Sequence, residues 1–194
     1  MWLGHVRAML LQLRVDLRKR KIARFASTPI AESRPGIVVK IVGRAEAAGE
    51  LVEAPLTAAS AVASVTCLGI IGRRSDPPTA YVRDEQINDF IVRDPSGAAL
   101  IRVRRACVVT IPSVVPTPDV DRKSRWMRRW RARDRFLGLE RKLQFSEAAL
   151  AVGAEVKVLG TCVERHGGDG PYREQSDATI TIDAAEGGVV IVDW

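Results

Sequence analysis

Residues 90–103, Phe-Ile-Val-Arg-Asp-Pro-Ser-Gly-Ala-Ala-Leu-Ile-Arg-Val, leave the backbone little choice. Asp94 is an acidic turn opener, Pro95 pre-sets φ at the second turn position, and Gly97 accepts a positive φ at the end. The flanks alternate. Phe90 and Val92 before the turn and Ile101 and Val103 after it point one way, while Arg93, Arg102 and Arg104 take the other face. A hairpin with one buried and one wet face implies an antiparallel sheet, so the remaining segments must supply its neighbours.

Several do. Ile37–Val42 is a β-branched run between the turn pair Pro35-Gly36 and Gly43, and Ala58–Ile71 suits a curved, largely buried strand. Asp76-Pro77-Pro78 makes a turn before Ala80–Arg83, and Ala106–Ile111 follows the central hairpin with a bulge at Arg105. Glu155–Val163, Ala178–Asp183 and Val189–Val192 complete the set, the last entered through Gly187-Gly188. About seven short strands predict a mainly β fold: a small antiparallel barrel or sandwich, an OB-like barrel being one form. Residues 45–55 read as a loop and residues 111–119, with Pro112, Pro116 and Pro118, as a stiff connector. A helix then starts at an Asp119 or Asp121 cap, with Trp126, Trp130 and Leu137 on one stripe and arginines around it. Glu140–Leu150 reads as a second short helix, and His166–Pro171 as a glycine-rich tip rather than a phosphate cradle.

With 194 residues, 46% of them hydrophobic, the chain can bury one core and carry an appendage. The spacing divides it into residues 1–34, a basic amphipathic helix and a linker, and residues 35–194, a β domain with a helical insertion at about 119–150. In the first part Trp2, Val6, Met9, Leu10, Leu13 and Leu17 form a helical stripe, and residues 26–35 mix Ser, Thr and Pro as linkers do. That helix can dock on its own domain or on a twin subunit, lie in a membrane interface, or act as a targeting peptide.

The formal charge of +7 is concentrated. Residues 1–25 hold seven basic side chains against one acidic, and residues 121–137 hold eight against two, so the rest of the chain is mildly acidic. Two adhesive blocks on an acidic body make anionic surfaces the natural partners. The candidate contact residues are Trp2, Arg7, Arg14, Arg18, Lys19, Arg20 and Lys21 in the first block, and Trp126, Arg128, Arg129, Trp130, Arg131 and Arg133 in the second.

Catalytic chemistry finds no motif. There is no GxSxG nucleophile, and neither His5 nor His166 has a neighbour to orient it as a base. Cys67, Cys107 and Cys162 stand far apart in apolar runs, which suits reduced core thiols on the cytoplasmic side of a membrane and gives no metal site. Asp84, Glu85, Asp89 and Asp94 could share a proton or a cation, but read first as a solvated edge that discourages strand aggregation. No run of roughly 18 to 20 apolar residues can span a bilayer. No cofactor is expected.

Four local patterns recur in an order that resembles one family: Pro35-Gly36 through Gly43-Arg44; Leu51-Val-Glu-Ala-Pro55-Leu56; Phe90-Ile-Val-Arg-Asp94-Pro-Ser-Gly97; and Glu147-Ala-Ala-Leu150 into Gly153-Ala-Glu-Val156-Lys-Val158-Leu-Gly160. They are similar to the GIDE-type domain, also described as a beside-a-membrane domain, of the MULAN mitochondrial ubiquitin ligases and of bacterial proteins. Those ligases carry a RING finger, and three Cys with two His are too few for its two zinc sites. The resemblance therefore implies a non-enzymatic sensor or scaffold module, peripheral at the inner face of a membrane, contacting an anionic surface or a protein partner. The alternative expectation is an OB-like nucleic-acid binder that stacks bases on Trp126 and Trp130 amid the arginines of 121–137.

Overall fold

A computed structural model of the chain describes residues 17, 20, 22–70, 79–103, 107–109, 113–115, 119–131, 143–165, 178–183 and 189–191. The described residues form strands β1 (Val38–Ala47), β2 (Val52–Glu53), β3 (Ser60–Ala61), β4 (Ala63–Ile70), β5 (Thr79–Ile87), β6 (Phe90–Asp94), β7 (Gly97–Arg102), β8 (Cys107–Val109) and β9 (Ser113–Val114). Helix α1 (Val120–Arg131) and strands β10 (Leu143–Leu150), β11 (Glu155–Arg165), β12 (Ile180–Asp183) and β13 (Val189–Ile191) follow.

The fold is mainly β and is built on a closed barrel of five strands. The β6–β7 hairpin forms at the expected turn, with Phe90 opposite Ile101 and Asp94 opposite Gly97, although Gly97 does not take the positive φ expected of it. Long β1 closes the barrel because its first part pairs with β11, from Val38↔Thr161, while its last residues pair with β6, to Ala47↔Phe90. Gly43 sits where β1 changes partner. A Cβ there would stand 2.3 Å from the Arg93 carbonyl oxygen, so only glycine permits the approach. Strand β12 lies parallel to β7 and antiparallel to β11, which completes the ring. Ile41, Phe90, Val92, Ile101, Val158 and Ile182 fill it without exposure.

A second sheet, in the order β5-β4-β10-β9, covers the barrel. Alternation along β4 gives it two working faces. Ala63, Val65 and Cys67 join the barrel core, whereas Leu68 joins a separate cluster with Leu56, Val82, Trp126 and Phe145.

Three expectations need correction. Glu140–Leu150 is not a helix where it is described: β10 pairs residue for residue with β4 from Leu143↔Ile70 to Leu150↔Ala63. The Glu-Ala-Ala-Leu composition favours helix, but a full antiparallel ladder between two neighbours overrides so weak a propensity. The proline connector contains β9, whose Ser113 and Val114 pair with Glu147 and Ser146. The segment read as a linker plugs the barrel. A 3-10 turn at Ile30–Glu32 places Ile30 at 0% exposure in the main core, and the Ile30 and Ala31 N–H groups donate to Asp94 Oδ2 and Ser96 Oγ of the hairpin turn. Core packing thus begins before residue 35, with Ile22 also buried. The described residues form thirteen strands rather than about seven: β2, β9 and β10 fall where the composition predicts loop, connector and helix, and β3 with β4 falls inside the Ala58–Ile71 run expected as one strand. The bulge at Arg105 and the tip at 166–171 lie outside the described residues. Among the described residues no helix is long and apolar enough to cross a membrane.

Candidate anion-binding surface

Helix α1 starts as its sequence requires: Asp119 Oδ1 accepts from the Arg122 N–H at 2.8 Å, a side-chain cap on the first turn. Its orientation is set by Trp126. The indole is 4% exposed, meets Phe145 edge-to-face with centroids 6.2 Å apart, and donates from Nε1 to Asp84 Oδ2 at 3.1 Å. Lys123 lays its ammonium 4.8 Å from the centre of the Phe145 ring, on the same docking side. At the N-terminal end Arg122 bridges to Glu53, whose carboxyl that hydrogen bond holds below its ordinary range.

With Trp126 turned inward, Arg125, Arg128 and Arg129 are all exposed. Their i, i+3, i+4 spacing puts them on one flank of the helix, whose first turn also carries exposed Asp121. Trp126 is therefore a correction to the proposed contact set: it is an anchor of the helix and offers no ring to a base or a lipid. Trp130 and Arg131 belong to the helix, and Arg133 lies outside the described residues. In the first block Arg20 is exposed, and Trp2, Arg7, Arg14, Arg18, Lys19 and Lys21 lie outside the described residues.

The acidic cluster is a solvated edge only in part: Asp84 and Glu85 lie on edge strand β5 and Asp89 is exposed, but Asp84 is buried. Asp84 is 8% exposed and holds Trp126. Asp89 Oδ1 accepts from the Val103 N–H, and Glu85 pairs with Arg83 Nε at 2.6 Å. Asp94 brackets its own turn through the Ser96 and Gly97 N–H groups and the Ser96 hydroxyl, besides Ile30. Burial acts to raise the Asp94 carboxyl, but these bonds outweigh it and hold the group below its ordinary value.

Glu147 is a functional residue of the fold that sequence reasoning missed. Its carboxylate, buried between β4 and β9, accepts from the Leu56 N–H (2.9 Å), the Thr57 N–H (2.8 Å), the Thr57 hydroxyl (2.6 Å) and the Thr66 hydroxyl (2.8 Å). It clamps the turn that continues through Ala58, where φ is 61°. The signal was the Pro55-Leu56-Thr57 turn itself, whose inward N–H groups need an acceptor. Cys67 and Cys162 are buried free thiols, and burial pushes the Cys67 thiol up. Among the described residues no group of His, Cys, Asp and Glu is placed to hold a metal ion.

No protein-family model, curated protein or solved structure matches this chain.

Proposed function

We propose that the protein is a non-enzymatic adhesion and scaffold module that works beside a membrane and binds anionic phospholipid through its arginine-rich segments. The observation that carries this reading is the anchoring of Trp126 on Asp84, which turns Arg125, Arg128 and Arg129 outward together. Supporting it, the described buried carboxylates are already committed to holding backbone and side chains, Glu147 to the Leu56–Thr57 turn and Asp84 to α1.

The test is sedimentation with phosphatidylcholine vesicles, with and without phosphatidylserine. Each cation near such a surface contributes about 1 kcal/mol. The triple variant R125Q/R128Q/R129Q is therefore expected to bind the anionic vesicles about a hundredfold more weakly. Equal sedimentation with both lipid mixtures, or an unaffected triple variant, would overturn the reading.

A second reading rests on the barrel. Taken in chain order, its strands run 1-2-3-5-4 and close on strand 1, with the third and fifth parallel, which we read as OB-like. An OB-like barrel binds oligonucleotides on its strand 2–3 face, here β6 and β7, rather than on α1. Filter binding of single-stranded oligonucleotides over a salt series decides it, since a phosphate-dominated complex weakens steeply as salt rises.

A further inference from the structure

Helix α1 and the described N-terminal strap lie on opposite sides of the barrel and second sheet. Helix α1 packs on the face of the second sheet that bears Leu68, while Ala63, Val65 and Cys67 on the reverse face enter the barrel core. The sheet thus lies between α1 and the barrel. It meets the barrel where β6 begins, since the Asn88 N–H donates to the Val62 carbonyl just before Phe90. At the other end of β6 the Asp94–Gly97 turn holds the Ile30 plug, so the N-terminal strap marks the far pole.

That far pole has its own character. Cys162 donates to the Ile37 carbonyl, and Val38 pairs with Thr161, so Ile37, Val38 and Val163 adjoin on the rim. They are 51%, 47% and 44% exposed. A parallel bridge between Ser27 and Lys40 brings the preceding residues alongside this start of β1. Arg20, Arg24 and Arg34, all exposed, come with them, as do exposed Glu32 and Glu164. Apolar side chains among guanidinium groups suit shallow insertion at a headgroup boundary, whereas the exposed side chains described on α1 are charged.

We infer that the protein is bivalent toward anionic phospholipid, gripping one vesicle at the strap pole and a second at the α1 pole, and so clusters membranes. The inference rests on the adhesion reading above and adds that the two contacts face away from each other. With the exposed side chains described on α1 all charged, the α1 contact is screened first, so clustering is lost at a lower salt concentration than binding.

The experiment mixes the full chain with phosphatidylcholine vesicles containing phosphatidylserine and follows sedimentation and, by dynamic light scattering, particle size. Wild type is expected to sediment and to raise particle size severalfold. R125Q/R128Q/R129Q is expected still to sediment through the strap pole, at the higher lipid concentration that its about hundredfold weaker affinity requires, while particle size stays that of single vesicles. The strap-pole variant R20Q/R24Q/R34Q with Val38→Thr is expected to do the same at low salt. All these positions are exposed or rim sites, and unchanged thermal melts verify folding. Sedimentation without a size increase, clustering by either variant, or complete loss of sedimentation in the α1 variant would overturn bivalency. Failure of the wild type to sediment would instead sink the adhesion reading itself.

Discussion

Glu147 shows how much of this fold depends on single buried acceptors. Its partners at Leu56 and Thr57 lie about ninety positions away, and a glutamine has one acceptor oxygen and turns an amide toward the remaining donors. Glu147→Gln is expected to cost about 2–4 kcal/mol, the penalty for leaving buried donors unmatched, read as a lowered midpoint in thermal or denaturant unfolding. An unchanged midpoint would show that the turn holds itself. Asp94 makes a prediction about pH. Its folded-state pKa is depressed, so its contribution is fully present above the ordinary aspartate value and is lost as pH falls through the lower folded value. Acid from about pH 4 downward should therefore loosen the strap in the wild type. Asp94→Asn should show weaker pH dependence over that window, as read by amide exchange at Ile30 and Ala31. The role of Asp94 was legible in the sequence because its turn partners are two and three residues away. That of Glu147 was hidden because its partners are distant in the chain.

At the scale of elements, local signals were read well and tertiary ones poorly. The hairpin and the capped start of α1 follow from turn and cap chemistry that any unfolded copy of the segment would share. Strand β10 misleads because Glu-Ala-Ala-Leu is a good helix sequence, and only the presence of β4 and β9 on either side makes it a strand. The strap misleads in the opposite direction. Its Ser, Thr and Pro residues look like linker, yet one isoleucine in a 3-10 turn closes the barrel end. Ile30→Ala is expected to destabilise the protein by about 2–5 kcal/mol, as for a core isoleucine, where a linker residue would cost almost nothing. Chemical denaturation distinguishes the two, and a loss below about 0.5 kcal/mol would return the strap to linker status.

For the whole molecule, the important feature is that the second sheet lies between α1, with its exposed arginines, and the barrel. The barrel class was legible from strand number and alternation, but the second sheet was not, since it arises from pairings distant in sequence, such as β4 with β10. The candidate contact set was legible as charge but not as geometry. Periodicity placed Trp126 among the arginines, and burial then separated the anchor from Arg128 and Arg129. The most direct measurement of the central claim is the salt dependence of affinity for phosphatidylserine-containing vesicles, wild type against R125Q/R128Q/R129Q. If outward guanidinium groups hold the surface, wild-type affinity falls steeply with ionic strength and the triple variant falls along a distinctly shallower line. Parallel lines for the two proteins, or a wild-type affinity indifferent to salt, would contradict it.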